Sequence, residues 1–255
     1  MKRALVCLPL AAALVPGASA GGPRKALGLT ATPARVVLRG SGTAAVRIRN
    51  PGEQAVVVDA ASAGFALDLR GRPRIVKQHG PRSAAGWLTL RPGRFRLPPH
   101  GAVTVVVTAK VPTHAEPGDH DALVLLGARP VTRARVSIQL RLGVVVLVRA
   151  PGAVVRRLRL GRLRAARRGG VRALELVVIN SGNVTERLRR VRATVSRPVA
   201  RAARISAGAR ELRPHSRGLL EFRLRPGVHG TVAVRVRVLA EPGRRVLRRT
   251  YRLRL

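Results

Sequence analysis

The sequence predicts an all-β chain built from two antiparallel β-sandwich domains in tandem. From Leu29 onward apolar residues recur mostly at every second position, the period of a strand with one buried face, and no stretch keeps the helical period. Clusters of Gly, Pro, Asn and Asp divide the apolar runs with turn chemistry. Three short motifs also occur twice in the same order, as two copies of one module would produce.

The elements follow in chain order. A basic start (Lys2, Arg3), an apolar run over 4–15 and the small residues Ala18-Ser19-Ala20 have the layout of a secretory signal peptide, residues 1–20, so the mature chain is expected to begin near Gly21. The apolar run is broken by Pro9 and is shorter than the ~20 residues a membrane span needs. Cys7, the only cysteine, lies inside this leader and ahead of most of its apolar run, whereas a lipid-carrying cysteine follows it. The mature chain is then expected to carry no disulfide and no cysteine metal site.

A first domain is read over 21–150, with strands expected at 35–38, 44–50, 55–59, 65–69, 86–90, 103–111, 123–126 and 132–148. Turns fall at Arg39-Gly40-Ser41-Gly42, Asn50-Pro51-Gly52, Arg70-Gly71-Arg72-Pro73, Pro98-Pro99-His100-Gly101 and Glu116-Pro117-Gly118-Asp119. Pro151-Gly152 marks the junction, and a second domain over 151–255 has strands expected at 154–163, 173–180, 188–195, 218–224, 231–239 and 246–253. Short strands at this spacing, with no helix between them, give immunoglobulin-like sandwiches. The echoes are specific. Asn50-Pro51-Gly52 returns as Asn180-Ser181-Gly182, Leu97-Pro98-Pro99-His100 as Leu212-Arg213-Pro214-His215, and Pro117-Gly118-Asp119-His120 as Pro226-Gly227-Val228-His229.

Charge is the second strong signal. Against 50 basic residues stand 11 acidic, and 46 of the basic ones are arginine. A GC-rich codon bias accounts for much of this, but not for the scarcity of Asp and Glu, whose codons are also GC-rich. Such a surface attracts polyanions, more weakly as salt rises. In the second domain arginines alternate with apolar residues, and on a strand such alternation gathers their heads on one face: Arg235 and Arg237 in one strand and Arg252 and Arg254 in the last, with Arg156 and Arg159 taken from the arginine-rich strand that opens the domain. These six form the candidate polyanion-binding set, against the plainer reading of a solvated outer face. Guanidinium pairs with phosphate through two parallel hydrogen bonds, which favours phosphate-bearing polymers. Export and the lack of stacking aromatics disfavour nucleic acid.

The run Trp87-Leu88-Thr89-Leu90-Arg91-Pro92, then Phe95-Arg96-Leu97-Pro98-Pro99-His100-Gly101, Val111-Pro112 and Glu116-Pro117-Gly118-Asp119-His120 resembles the pattern of the WxL-interacting proteins over their peptidoglycan-binding domain. More distantly, the first domain is similar to that of periplasmic pilus chaperones. The resemblance implies a surface-displayed binding protein, its first domain near peptidoglycan and its second presented to a partner. Against that family's pattern, the chain ends in Tyr251-Arg252-Leu253-Arg254-Leu255 with no apolar segment. In the pilus chaperones an Arg and a Lys grip the client's carboxylate; Arg35 matches the first by position, and no lysine matches the second.

Catalysis is not expected. There is no nucleophile elbow and no phosphate-cradling glycine loop. His114, Glu116, Asp119, His120 and Asp121 are metal-capable, but they straddle Pro117-Gly118 and read as a polar turn before the strand at 123–126. No cofactor is expected. Trp87 could stack on a sugar, although a sole tryptophan in a sandwich more often plugs the core. Asn183-Val184-Thr185 is a glycosylation sequon in form, and a turn is its simpler account.

Two functions follow. One is an exported, non-catalytic envelope protein whose partner is a cell-wall polymer (peptidoglycan or a phosphate-bearing glycopolymer), another surface protein, or both. The other is a pilus-type chaperone or assembly factor. Its warrant is the long run over 132–148, where Val136, Ile138, Leu140 and Leu142 open a series of alternate apolar residues that could lend a strand to an incomplete partner. The plainer account of that run is a last core strand.

Overall fold

The structure, a computed structural model, describes residues 28–76, 80, 82–131, 139–197, 200–241 and 245–255. The leader with Cys7, and Val136 and Ile138 of the donated-strand set, lie outside the described residues.

Alternation drives the first sandwich. Its strands are β1 (Thr30–Thr32), β2 (Arg35–Arg39), β3 (Gly42–Arg49), β4 (Val56–Leu67), β5 (Pro73–Val76), β6 (Leu88–Arg91), β7 (Arg94–Leu97), β8 (Ala102–Ala109), β9 (Gly118–Pro130) and β10 (Leu140–Ala150), with a short 3₁₀ turn at Ala85–Trp87. One sheet has the order β1-β3-β8-β6, the other β2-β10-β9-β4-β5, with β7 also paired to β4. Val46 and Ile48 of β3, Val105 and Val107 of β8, Val124 and Leu126 of β9, and Val144, Val146 and Val148 of β10 fill the space between them. Each fully buried side chain of this size contributes roughly 1.5–3 kcal/mol. All pairings are antiparallel except β2 with β10, which runs parallel from Arg35 opposite Val145 to Arg39 opposite Arg149.

The second sandwich comprises β11 (Leu158–Arg168), β12 (Val171–Asn180), β13 (Glu186–Arg197), β14 (Ala200–Ala207), β15 (Arg210–Leu212), β16 (Ser216–Arg223), β17 (Thr231–Glu241) and β18 (Arg245–Arg254). Its sheets are β11-β12-β16 and β14-β13-β17-β18, with β15 on β13. Phe222, Leu174, Leu176, Leu188 and alternate valines of β17 form a separate core. The protein is therefore all-β, with two sandwich domains. Among the described residues no helix is long and apolar enough to cross a membrane.

The repeated motifs do the same work in each copy. The amide of Asn50 is buried and donates to the carbonyls of Gln54 (2.7 Å) and Pro98 (3.0 Å), while its Oδ1 accepts from the Gly52 N–H. Asn180 donates to Val184 (2.8 Å), Leu212 (3.2 Å) and Arg213 (3.0 Å), and accepts from Gly182. Leu97 lies opposite Val56 and Leu212 opposite Glu186, each six residues beyond its asparagine. His100 and His215 both hold a positive φ, at 58° and 50°.

Four expectations need correction. The strand expected at 86–90 begins only at Leu88, because Gly86 and Trp87 turn in the 3₁₀ segment, and the strand expected at 154–163 begins only at Leu158, because Ala153 and Val155 are held by the Asn183 side chain, which leaves Arg156 ahead of the strand. The runs at 55–59 and 65–69 are one strand, β4, because the small residues Ala60, Ala61, Ser62 and Ala63 continue the ladder to β9. The run at 123–126 is only the middle of β9, which begins at Gly118. Asp119, His120 and Asp121 thus sit in a strand and are buried, not in a surface turn. Their polarity hid the alternation.

Candidate functional site

The odd residues of β9 face the second domain and the even ones face the core. His120 therefore points inward beside Ala122 and Val124, with Nε2 2.8 Å from the Glu116 carbonyl and its ring 4.4 Å from that of Trp87. Burial pushes its pKa down. Asp119 and Asp121 project the other way and tie the domains together. Asp119 accepts from Nε and Nη2 of Arg149 and from the Thr185 N–H at 2.7 Å, while its own N–H donates to the Asn183 carbonyl. Asp121 pairs with Arg213, whose guanidinium also donates to the Phe65 carbonyl and lies 4.5 Å from the Phe65 ring. Burial lifts the Asp121 carboxyl up to about 6, against the pull of that guanidinium.

The Asn183 side chain is the clasp of the junction. It donates to the carbonyls of Pro117 and Ala153, and accepts from the Val155 N–H. Gly118, at φ 112°, passes so close that any side chain there would overlap the Asn183 carbonyl.

Between the domains lies a cleft of about 660 Å³. Its floor is the outer face of the β10-β9-β4-β5 side of the first sandwich: Gly143, Val145 and Leu147, Leu123 and Leu125, Phe65 and Leu67, and Ile75. Arg35, Arg70, Arg141, Arg210 and Arg213 rim it, with Glu211 opposite. The Arg35 guanidinium bonds both oxygens of Glu211, at 2.7 and 2.5 Å. Its partner is thus a carboxylate of the chain's own second domain, supplied 176 residues away. Arg70 likewise reaches Glu175 and Glu221 of the second domain, and Arg210 reaches the Leu69 carbonyl of the first. The cleft thus pairs an apolar floor with a basic rim and is fixed by ion pairs from both sides.

On the cleft wall, β10 is half covered. Residues 145–149 lie between β2 and β9, but 140–144 pair with β9 alone among the described residues, which leaves one backbone edge open. Leu140 and Leu142 are half-buried, packed against the first core at this open end.

The remaining sequence candidates separate. Arg235, Arg237, Arg252 and Arg254 share the exposed outer face of the second domain's larger sheet. Arg159 is exposed on the other sheet, and Arg156 is engaged by Glu186 at 2.9 Å. Trp87 is half-buried against the core with one side on His120, so sugar stacking would have to use what remains of its surface. The metal-capable residues are dispersed by strand alternation: Glu116 is taken by Arg82, Asp119 by Arg149 and Asp121 by Arg213. Among the described residues no three His, Cys, Asp or Glu converge as a metal centre would. Of the interdomain arginines the sequence singles out only Arg35, by its match to the pilus chaperones; Arg70 and Arg213 escape it, because their acidic partners lie far away along the chain.

No protein-family model and no curated protein sequence matches this chain. Solved structures do. The YadV chaperone is 12% identical over 88% of this chain and 99% of its own, with a TM-score of 0.51. A chaperone–tip adhesin complex of CFA/I fimbriae biogenesis matches at 14% identity over 88% and 98%, with a TM-score of 0.50. The CsuC–CsuE chaperone–tip adhesion subunit pre-assembly complex of Acinetobacter baumannii matches at 13% identity over 88% and 97%, also at 0.50. At these identities the likeness is one of fold. It is a distant resemblance to the tandem immunoglobulin-like domains of periplasmic pilus chaperones, over nearly the whole length, and gives no specific support to the WxL pattern.

Proposed function

We propose that this chain is a non-catalytic chaperone or assembly factor that holds an exported partner protein in the cleft between its domains. The observation that carries this reading is the edge of β10 over 140–144, open among the described residues and set beside an apolar floor. An unpaired strand edge offers alternating N–H and C=O groups that an incoming extended segment can satisfy, with side-chain pockets supplying selectivity. Leu140 and Leu142 stand at the end of the first core, where an incomplete sandwich could continue it. The fold shared with proteins whose structures are described as chaperones, and the leader read at 1–20, agree with this reading.

The test is retention of a partner from an envelope extract by immobilised mature protein, followed by identification and reconstitution as a defined complex. Gly143 is exposed on the cleft floor, and a Cβ there would make only ordinary contacts with Leu123, so Gly143→Arg fills the floor without disturbing the fold. Val145→Arg does the same two residues further along the strand. Wild-type protein is expected to retain a partner lacking an edge strand, and both variants to lose it with unchanged circular dichroism. Equal retention by the variants would overturn the reading.

A second reading, an adaptor for peptidoglycan, another cell-wall polymer or another surface protein, draws on the WxL resemblance and on the arginine-covered sheet of the second domain.

A further inference from the structure

Every one of the 11 acidic residues has a partner. In the second domain Glu175, Glu186, Glu211, Glu221 and Glu241 are all engaged by arginines. The surplus arginines therefore have no counter-charge within the chain, and the structure gathers them. On the outer face of the β14-β13-β17-β18 sheet, Arg192, Arg237 and Arg248 stand directly opposite one another across three strands. The next row holds Arg204, Thr194, Arg235 and Thr250. Arg252 and Arg254 extend the array along β18. All seven arginines are exposed, and none makes an ion pair among the described residues. Like charges directly opposite across a ladder destabilise a sheet, so this face is incomplete electrostatically without an anion.

We infer that this face binds a flexible, base-free phosphodiester polymer of the cell envelope. Rows repeat every two residues, about 6.7 Å along each strand, a length that one extended glycerol-phosphate unit spans. The face offers guanidinium forks and the hydroxyls of Thr194 and Thr250. No aromatic ring lies between them to stack a base or a sugar, which separates this face from single-strand nucleic-acid sites. Adjacent strands twist by roughly 20°, so arginine heads on β14 and β18 diverge by about 60° across the sheet. A bilayer plane meets only part of such an array, and the large apolar side chains beside its arginines are confined to Leu239 and Val246 in the row of Arg189, whereas a flexible chain follows the twist. The inference is independent of the cleft, which lies between the domains.

The test uses the full mature chain and a fluorescein-labelled poly(glycerol phosphate). Replacing Arg192, Arg235, Arg237 and Arg248 with Gln is expected to weaken binding about tenfold or more at low salt and to flatten its salt dependence, since each lost contact removes a released counterion. A control of equal charge loss replaces Arg47, Arg49, Arg91 and Arg96, exposed on the first domain, and should change binding by less than about threefold. Gly143→Arg should bind the polymer as the wild type does, which separates failure here from failure of the cleft reading. Equal loss in the two quadruple variants would reduce the effect to net charge and overturn the inference. So would equal affinity for polyglutamate, or tighter binding to an oligothymidine or to vesicles of phosphatidylglycerol and phosphatidylcholine.

Discussion

Asn50 and Asn180, 130 residues apart in sequence, tie equivalent corners of the two sandwiches with the same pattern of bonds. Each closes its own Asn-x-Gly turn through Oδ1 and spends its amide protons on a neighbouring loop. A buried side chain that satisfies several backbone groups at once is difficult to replace, since each orphaned group costs about 1–3 kcal/mol.

Asn50→Ala and Asn180→Ala should therefore each lower stability by about 2–4 kcal/mol in urea titrations followed by circular dichroism. Aspartate at either position should not rescue, because it removes the donors and adds buried charge. A loss under about 1 kcal/mol would mean that water replaces the amide.

Gly118→Ala is expected to loosen the junction more than either sandwich. A methyl group there overlaps the Asn183 carbonyl, and φ 112° is strained for any L side chain. Limited proteolysis around 151–157 should accelerate severalfold while each domain keeps its β-type spectrum. Unchanged cleavage would show that the contact yields without separating the domains.

The pH dependence of stability should carry the mark of Asp121. Burial raises its folded pKa to about 6 from an ordinary 3.8, so the native state binds this proton more tightly than the unfolded chain. The ionised group then weighs against folding above about pH 6, and that burden is relieved as pH falls from about 7 towards 4. Relative to Asp121→Asn, the wild type should gain stability on the order of 2 kcal/mol over that interval. A parallel pair of pH profiles would contradict this.

At the far end of the second domain, Tyr251 donates to the Gly161 carbonyl and Arg249 to that of Leu160, both at the bulge in β11. Tyr251→Phe should cost about 1 kcal/mol. Adding Arg249→Gln should cost more than the two single changes separately if the bulge opens as a unit, a point that a double-mutant cycle decides.

Alternation made the sandwiches legible: β3, β8, β12 and β17 appear in the sequence much as they fold, because each has one clean apolar face. The Asn-x-Gly echo identified two copies of one corner. What stayed hidden has physical causes. β9 begins with two carboxylates and a histidine whose burial depends on Arg149, Arg213 and Thr185, so locally it looks like a turn. β14, with its Ala and Arg, lacks the bulk that marks a strand. The cleft is legible only at Arg35, through the resemblance to the pilus chaperones, because nothing local distinguishes Arg213, bound across the junction, from Arg235, which points into solvent.

In the first domain β2 covers part of β10, but in the second β11 pairs only with β12 among the described residues, so that among them β18 is an outermost strand studded with arginine. This has a colloidal consequence. Two such rims repel over about 10 Å in 0.1 M salt but over only about 3 Å at 1 M. Dilute salt should keep the molecules dispersed, and concentrated salt should let bare backbone rims adhere, so that light scattering rises with ionic strength. For this protein the surplus charge serves as the guard against fibre-like stacking that other sandwiches obtain from a proline, a bulge or a covering loop.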